Sequence, residues 1–95
     1  MPERPNLTYA SAVILEAIAE RRTYGFQIIE GTGLPSGTVY PALRRMEAAG
    51  LIKSAWDSEE AEESGGPARK YYRLTRNGQQ HLDVLRDRYP RLARK

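Results

Sequence analysis

The spacing of apolar residues in this chain changes period twice. Up to Gly50 they recur three and four apart, from Leu51 to Asp57 and from Arg69 to Thr75 they alternate, and from Thr75 onward the helical spacing returns. Three helices, a two-stranded hairpin and a closing helix are therefore expected, a mainly α fold with a small β-hairpin. At 95 residues there is material for one small core. That excludes a two-domain enzyme with a cleft between its halves.

The first helix is expected from Thr8, its cap, to Arg22, after a frayed segment over residues 1–6. Leu7, Ser11, Ile14, Leu15 and Ile18 share one side, and Ala10, Val13 and Ala17 widen the arc to roughly half the circumference. An arc that wide predicts burial on two sides, one against the core and one against something else, a partner subunit being one candidate. A short second helix covers Tyr24 to Glu30, with Phe26 and Ile29 three apart and Gly31 and Gly33 as stops. The third runs from Ser36 to Ala49. Ser36 or Thr38 can cap it, Pro41 is tolerated close to its first turn, and Gly50 ends it. Val39, Ala42, Leu43 and Met46 form its buried stripe. Thr38, Pro41, Arg44 and Arg45 lie opposite, with Tyr40 on the flank.

In the first strand Ile52, Ser54 and Trp56 alternate with Lys53, Ala55 and Asp57; in the second Lys70, Tyr72 and Leu74 alternate with Arg69, Tyr71 and Arg73. Trp56 and Tyr72 are expected to pack the hairpin onto the core, with an aromatic ligand shelf as the alternative. Thr75 caps the last helix, whose Leu82, Leu85, Tyr89 and Leu92 form a one-sided seam. Pro90 cannot donate to the Arg86 carbonyl, so a kink or an end is expected near Tyr89.

Charge is distributed unevenly. There are 15 Lys and Arg against 12 Asp and Glu, a net +3, but residues 57–63 read DSEEAEE and hold five acids and no base. The rest of the chain is thus +8, which makes nucleic acid a serious candidate partner. The acidic run would either point away as a solubilising loop or weaken non-specific DNA binding. There is no cysteine, so disulfides and thiolate metal sites are excluded. The longest apolar run, Ala12 to Leu15, cannot span a bilayer, and no basic and apolar leader opens the chain; a cytoplasmic protein without membrane contact is expected.

The third helix has the chemistry of a groove reader. Arg44 and Arg45 can donate in pairs to guanine, and Thr38 and Tyr40 can bond phosphate or base; the alternative is a surface helix with two solvated arginines. Lys53, Arg69 and Lys70 are placed to lie along phosphates, with Arg73 further from the tip, or else to be solvated or paired across the strands. GTGLPSG has the spacing GxGxxxG, with no strand before it and no Lys-Ser/Thr after it, and reads as a helix-ending turn. His81 has no partners for catalysis nearby in sequence and reads as a surface or interface residue. The acids of the loop lack the spacing of an EF-hand. No metal site, cofactor or enzymatic set is expected.

Three helices followed by a ribbon match the winged helix-turn-helix plan over residues 1–75, with 76–95 as a C-terminal dimerisation helix and tail. From Tyr24 to Gly78 the chain resembles the PadR family of bacterial transcriptional regulators. The matching pieces are Tyr24-Gly25, the run from Ser36 to Leu43 (SGTVYPAL), Glu47 to Ile52 (EAAGLI), and Arg69 to Thr75 with Gly78. The resemblance implies a homodimeric repressor on a palindromic operator, with double-stranded DNA contacted by Tyr24, Ser36, Thr38, Tyr40, Pro41, Arg44 and Arg45 and by Lys53, Arg69 and Lys70 of the ribbon. It implies dimerisation through the last helix with help from the first, by Ile14, Ile18, Leu82, Leu85, Tyr89 and Leu92. It also implies, for many members but not all, a small aromatic or cationic effector near the dimer interface, with an aromatic one the candidate here, and association with the nucleoid when operator-bound. A single C-terminal helix interrupted by Pro90, and an acidic hairpin tip, depart from the longer members. The rival reading is a winged-helix protein-interaction module that does not bind DNA.

Overall fold

The computed structural model describes residues 9–57, 65 and 69–93. The elements are α1 (Tyr9–Ala19), α2 (Gly25–Thr32), α3 (Ser36–Ala48), β1 (Ile52–Asp57), β2 (Arg69–Leu74) and α4 (Arg76–Arg88), then a 3₁₀ turn over Pro90–Ala93. The expected order is found. Leu7, the Thr8 cap, the first six residues and the acidic run beyond Asp57 lie outside the described residues.

Helix α1 stops at Ala19, three residues short of the expected end, because Arg21 takes a left-handed conformation at φ 69°. The N–H groups of Arg21 and Arg22 then bond back to the Ile18 and Ala17 carbonyls at 3.0 Å, closing the last turn. Helix α2 starts one residue later than expected and runs through Gly31 to Thr32, with Gly33 as its left-handed end. Its buried residues are Gly25 and Ile28; Phe26, three before Ile29, is 47% exposed. Neither Ser36 nor Thr38 caps α3. Pro35 holds the cap position, and its carbonyl accepts from Thr38 and Val39 at 2.9 and 3.0 Å. At the other end Gly50, at φ 79°, lets its own N–H reach Glu47 and the Leu51 N–H reach Met46, a Schellman closure that a Cβ would strain.

One core joins all of these elements. Ile14, Leu15 and Ile18 of α1, Ile28, Val39, Leu43 and Met46, Leu51, Ile52 and Tyr72, and Leu82 and Leu85 of α4 form a single buried cluster. Helix α1 runs through its middle, touching α2, α4, β2 and the 3₁₀ turn. This accounts for most of its wide apolar arc within one chain, with Ala10 and Val13 left partly exposed. The residues expected at the dimer contact are drawn into this core to different extents. Ile14, Ile18, Leu82 and Leu85 are covered by the chain's own core, and Tyr89 and Leu92 pack partly against it. Helix α4 ends at Arg88, as Pro90 requires, with the Tyr89 N–H bonded to Leu85 at 2.7 Å.

Thr75 caps α4 by accepting from the Gly78 N–H at 3.0 Å while its hydroxyl donates to the Gly50 carbonyl at 2.6 Å. One side chain therefore ties the end of α3 to the start of α4. Gly78 is packed so closely on the Leu51 backbone that a Cβ there would lie 1.9 Å from the Leu51 oxygen.

Candidate nucleic-acid interface

Helix α3 offers its outer face as expected. Val39, Ala42, Leu43 and Met46 are buried, which leaves Ser36, Gly37, Tyr40, Arg44 and Arg45 exposed and Thr38 and Pro41 half-buried. Glu47, the one acid of the helix, is turned under the ribbon, where Ser54 Oγ donates to its carboxylate at 2.6 Å. The exposed face thus carries two arginines and no acid.

The strands pair with Ile52 opposite Leu74, Ser54 opposite Tyr72 and Trp56 opposite Lys70, so these share one face; Lys53 with Arg73, Ala55 with Tyr71 and Asp57 with Arg69 share the other. Glu47 of α3 sits beneath the first of these faces. The outer edge of β2 is met by the turn between α1 and α2. The Tyr72 N–H donates to the Thr23 carbonyl at 2.9 Å and Tyr24 bridges Tyr71 as a further antiparallel rung. The Gln27 side chain fixes that turn by accepting from the Thr23 and Tyr24 N–H groups at 3.1 and 3.2 Å. Tyr24 Oη donates to the Asp57 carboxylate at 2.5 Å, so the ribbon is held near its tip as well as at its base.

Between α2, α3 and β2 lies a pocket of ≈ 180 Å³ lined by Tyr24, Phe26, Tyr40, Tyr72, Arg69 and Lys70. Tyr24 stacks on Phe26 at 5.9 Å, and the Arg69 guanidinium stands 5.4 Å from the Phe26 centroid. Burial pushes the Tyr72 hydroxyl above its ordinary range, with the nearby Glu47 and Tyr40 adding to the effect and Arg44 opposing it. The structure therefore brings Tyr24, Tyr40, Arg69 and Lys70 to one junction. Thr38, Pro41, Arg44 and Arg45 continue from it along α3, and Lys53 lies on the opposite face of the ribbon. Among the described residues, Arg44, Arg45, Lys53, Arg69 and Lys70 form no salt bridge; both bridges present use Arg86. Arg69 and Lys70 instead lie against rings, of Phe26 and of Trp56 and Tyr72.

Two residues at this junction escaped the sequence reading. Phe26 is exposed while Ile28 takes the buried position of α2, and Trp56, expected to pack on the core, is 64% exposed. Alternation correctly gave Trp56 the face of Ile52, but β1 runs past the core before reaching it. His81 stands on α4, its Nδ1 2.9 Å from the Asn77 carbonyl oxygen. GTGLPSG forms the end of α2, a turn and the start of α3, as its spacing suggested.

A basic helix face beside a ribbon, both mounted on a three-helix core, defines a winged helix-turn-helix protein. Residues 14–84 match the model of the PadR-like family of transcriptional regulators, and the chain belongs to that family. It is 35% identical to a PadR family transcription regulator from hypervirulent Clostridium difficile R20291, covering 87% of this chain and 88% of that one at a TM-score of 0.74. A PadR-like regulator from Bacillus cereus strain ATCC 14579 shares 27% identity, with 87% and 82% covered and a TM-score of 0.69. A third, from Eggerthella lenta DSM 2243, shares 26%, with 85% and 74% covered and a TM-score of 0.65. Curated proteins gave no match. The chain is thus a DNA-binding transcriptional regulator of PadR type and not an enzyme. No helix among the described residues is long and apolar enough to cross a membrane.

Proposed function

We propose that the chain acts as a homodimeric repressor that reads a palindromic operator. The observation that carries this reading is the acid-free exposed face of α3 continuing into the cations of the ribbon, which form no salt bridge among the described residues. Two copies of α3 would enter successive major grooves about 34 Å apart if the half-sites are one helical turn apart. Thr38, Tyr40, Arg44 and Arg45 supply the groove contacts, with Ser36 and Pro41 at the helix entrance. Tyr24, Lys53, Arg69 and Lys70 hold phosphates.

Dimerisation falls to residues 76–95 and the surface that the core leaves uncovered. Tyr9 and Val84 are exposed, and the Tyr9 ring meets that of Tyr89 edge-on at 5.3 Å. Beside that pair a pocket of ≈ 400 Å³ is lined by Tyr9, Arg88, Tyr89, Pro90 and Arg91. Rings and arginines together suit a small aromatic anion, the effector assigned here to the subunit boundary. The protein would work in the cytoplasm, on the nucleoid when its operator is occupied.

The test is titration of duplex DNA across a salt series, with sedimentation of the free protein. Affinity should fall steeply from low to physiological salt, Arg44→Ala should lose about 1–3 kcal/mol of discrimination for a selected operator, and Lys70→Ala should weaken all duplexes alike. Failure to bind any duplex at low salt would overturn the reading in favour of a protein-interaction module; a monomer at all concentrations would overturn the dimer.

A further inference from the structure

Trp56 is the chain's one tryptophan, and 64% of it is in water although its strand neighbours on the same face are covered. Ile52 is buried, Ser54 is bonded to Glu47 of α3, and Tyr72, opposite Ser54, is buried. The face that begins as core thus ends, two residues further on, as an exposed indole. An uncovered ring of this size on a small domain points to a partner.

The surroundings say which one. Directly across the ribbon stands Lys70, its ammonium 5.9 Å from the Trp56 ring and 6.0 Å from the Tyr72 ring, so the cation is held between two aromatic faces. Lys70 and Tyr72 also line the junction pocket with Tyr40 of α3. The only acid on β1, Asp57, is on the opposite face and is bonded to Tyr24. An apolar plate beside a fixed cation, next to a groove-reading helix, fits a polyanion that also presents flat apolar surface. Duplex DNA has both: phosphates along its rim, and sugars and base edges inside the minor groove.

We propose that Trp56 is a DNA-contacting residue of the wing, its indole lying against the sugars of the minor groove beside the major groove entered by α3, with Lys70 on the flanking phosphate. This rests on the DNA-binding reading given above. Lys70 acts through charge and Trp56 through apolar contact, so the two differ in salt dependence. Loss of the lysine lowers the slope of log affinity against log salt by roughly 0.9, while loss of the indole lowers affinity and leaves the slope unchanged. Covering an aromatic side chain of this size scales to roughly ten- to 150-fold in affinity. Because the contact is made to sugars, the loss is similar on any sequence.

The experiment uses the full chain and a fluorescein-labelled duplex of mixed sequence, reading DNA anisotropy and, with unlabelled duplex, the emission of Trp56. Expected are a change in indole emission that saturates with the anisotropy, a loss of roughly tenfold or more for Trp56→Ala with unchanged slope, and near-complete rescue by Trp56→Phe. Circular dichroism and sedimentation should be unaltered in both variants. DNA binding without an emission change, or a Trp56→Ala protein that binds as well as the parent, would overturn the proposal and leave the DNA-binding reading intact. A Trp56→Ala protein of altered oligomeric state would assign the ring to a subunit contact and overturn it too. Absence of binding by the parent chain would overturn the underlying reading.

Discussion

Replacing Arg86 by methionine should be far more damaging than its half-exposed position suggests. Its guanidinium grips Glu16 with two bonds, Nε to Oε2 at 2.8 Å and the outer nitrogen to Oε1 at 2.9 Å, joining α4 to α1. That contact raises the Arg86 pKa further above the usual guanidinium range. The two partners are unequal, since the Glu16 side chain is 8% exposed and that of Arg86 37%. Methionine keeps the apolar stem but strands a carboxylate. Breaking a buried pair from one side costs about 3–5 kcal/mol. Glu16 borders an open pocket of ≈ 290 Å³ that admits water, so a loss at or below the lower end of that range, about 2–3 kcal/mol, is expected. Glu16→Leu leaves only a hydrated arginine and should lose about 1 kcal/mol or less, and the double variant should be close to it. Urea unfolding of all four proteins at neutral pH measures the cycle. A coupling of about 2 kcal/mol is expected, with a fall in Tm of roughly 10–20 °C for Arg86→Met. Strictly additive single variants, or an Arg86→Met protein within about 0.5 kcal/mol of the parent, would show that water already shields the carboxylate.

Three further outcomes follow from close packing and burial. Gly78→Ala places a Cβ 1.9 Å from the Leu51 carbonyl oxygen, so backbone must move, and a loss of about 2–3 kcal/mol in thermal unfolding is expected despite roughly 1 kcal/mol of helix propensity gained. A melt equal to the parent's would refute this. Gly25→Ala meets only the Tyr40 hydroxyl end, at 2.7 Å, which can swing; stability should change by less than about 1 kcal/mol while duplex affinity drops several-fold, because Tyr40 leaves the junction. Equal affinities would place Tyr40 outside the interface. The Tyr72 hydroxyl has its pKa raised by burial, so its contribution to stability is intact below the unfolded tyrosine value and lost as pH rises through the folded one. Unfolding followed from pH 9 upward should show a decline near and above a pH of about 10 that is smaller in Tyr72→Phe; identical profiles would count against it.

Much of the architecture was legible because the signals were local. The period change at Gly50 and Leu51, the glycine that closes α3, the Thr75 cap and the proline that ends α4 each act over a few residues. What failed depended on distance or on unfavourable choices. Arg21 carries a left-handed end where sequence offers no glycine, so the helix looked longer than it is. Alternation assigned Trp56 its correct face but could not show how far the strand outruns the core. The seam of Leu82 and Leu85 shows the same limit in another form. Periodicity reveals that a face is covered, never by which chain, and here α1 of the same chain covers it. The basic face of α3 was legible residue by residue, because a buried stripe of Val39, Ala42, Leu43 and Met46 dictates what remains outside.

The wing and α3 are fastened at several heights, and this limits how DNA binding can be controlled. Ser54 bonds Glu47 midway along the ribbon, Thr75 bonds Gly50 at its base, and Thr23 and Tyr24 bond Tyr72 and Asp57 along its outer side. Buried Tyr72 and Ile52 fill the space between. To swing the wing away from α3, several hydrogen bonds must break and core side chains must enter water, at roughly 1 kcal/mol for each bond and about 1.5–3 kcal/mol for each buried apolar side chain. A small effector that merely shifts an equilibrium supplies a coupling of about 1–3 kcal/mol. That is too little to open the unit from within. In the dimer proposed above, an effector would instead have to change the spacing between two rigid reading heads, and a ligand at the Tyr9 and Tyr89 corner is better placed to do so than one at the junction pocket. An effector that bound at Tyr40 and Lys70 would compete with DNA directly and show no binding to the operator complex, whereas one at the corner would bind that complex with altered affinity.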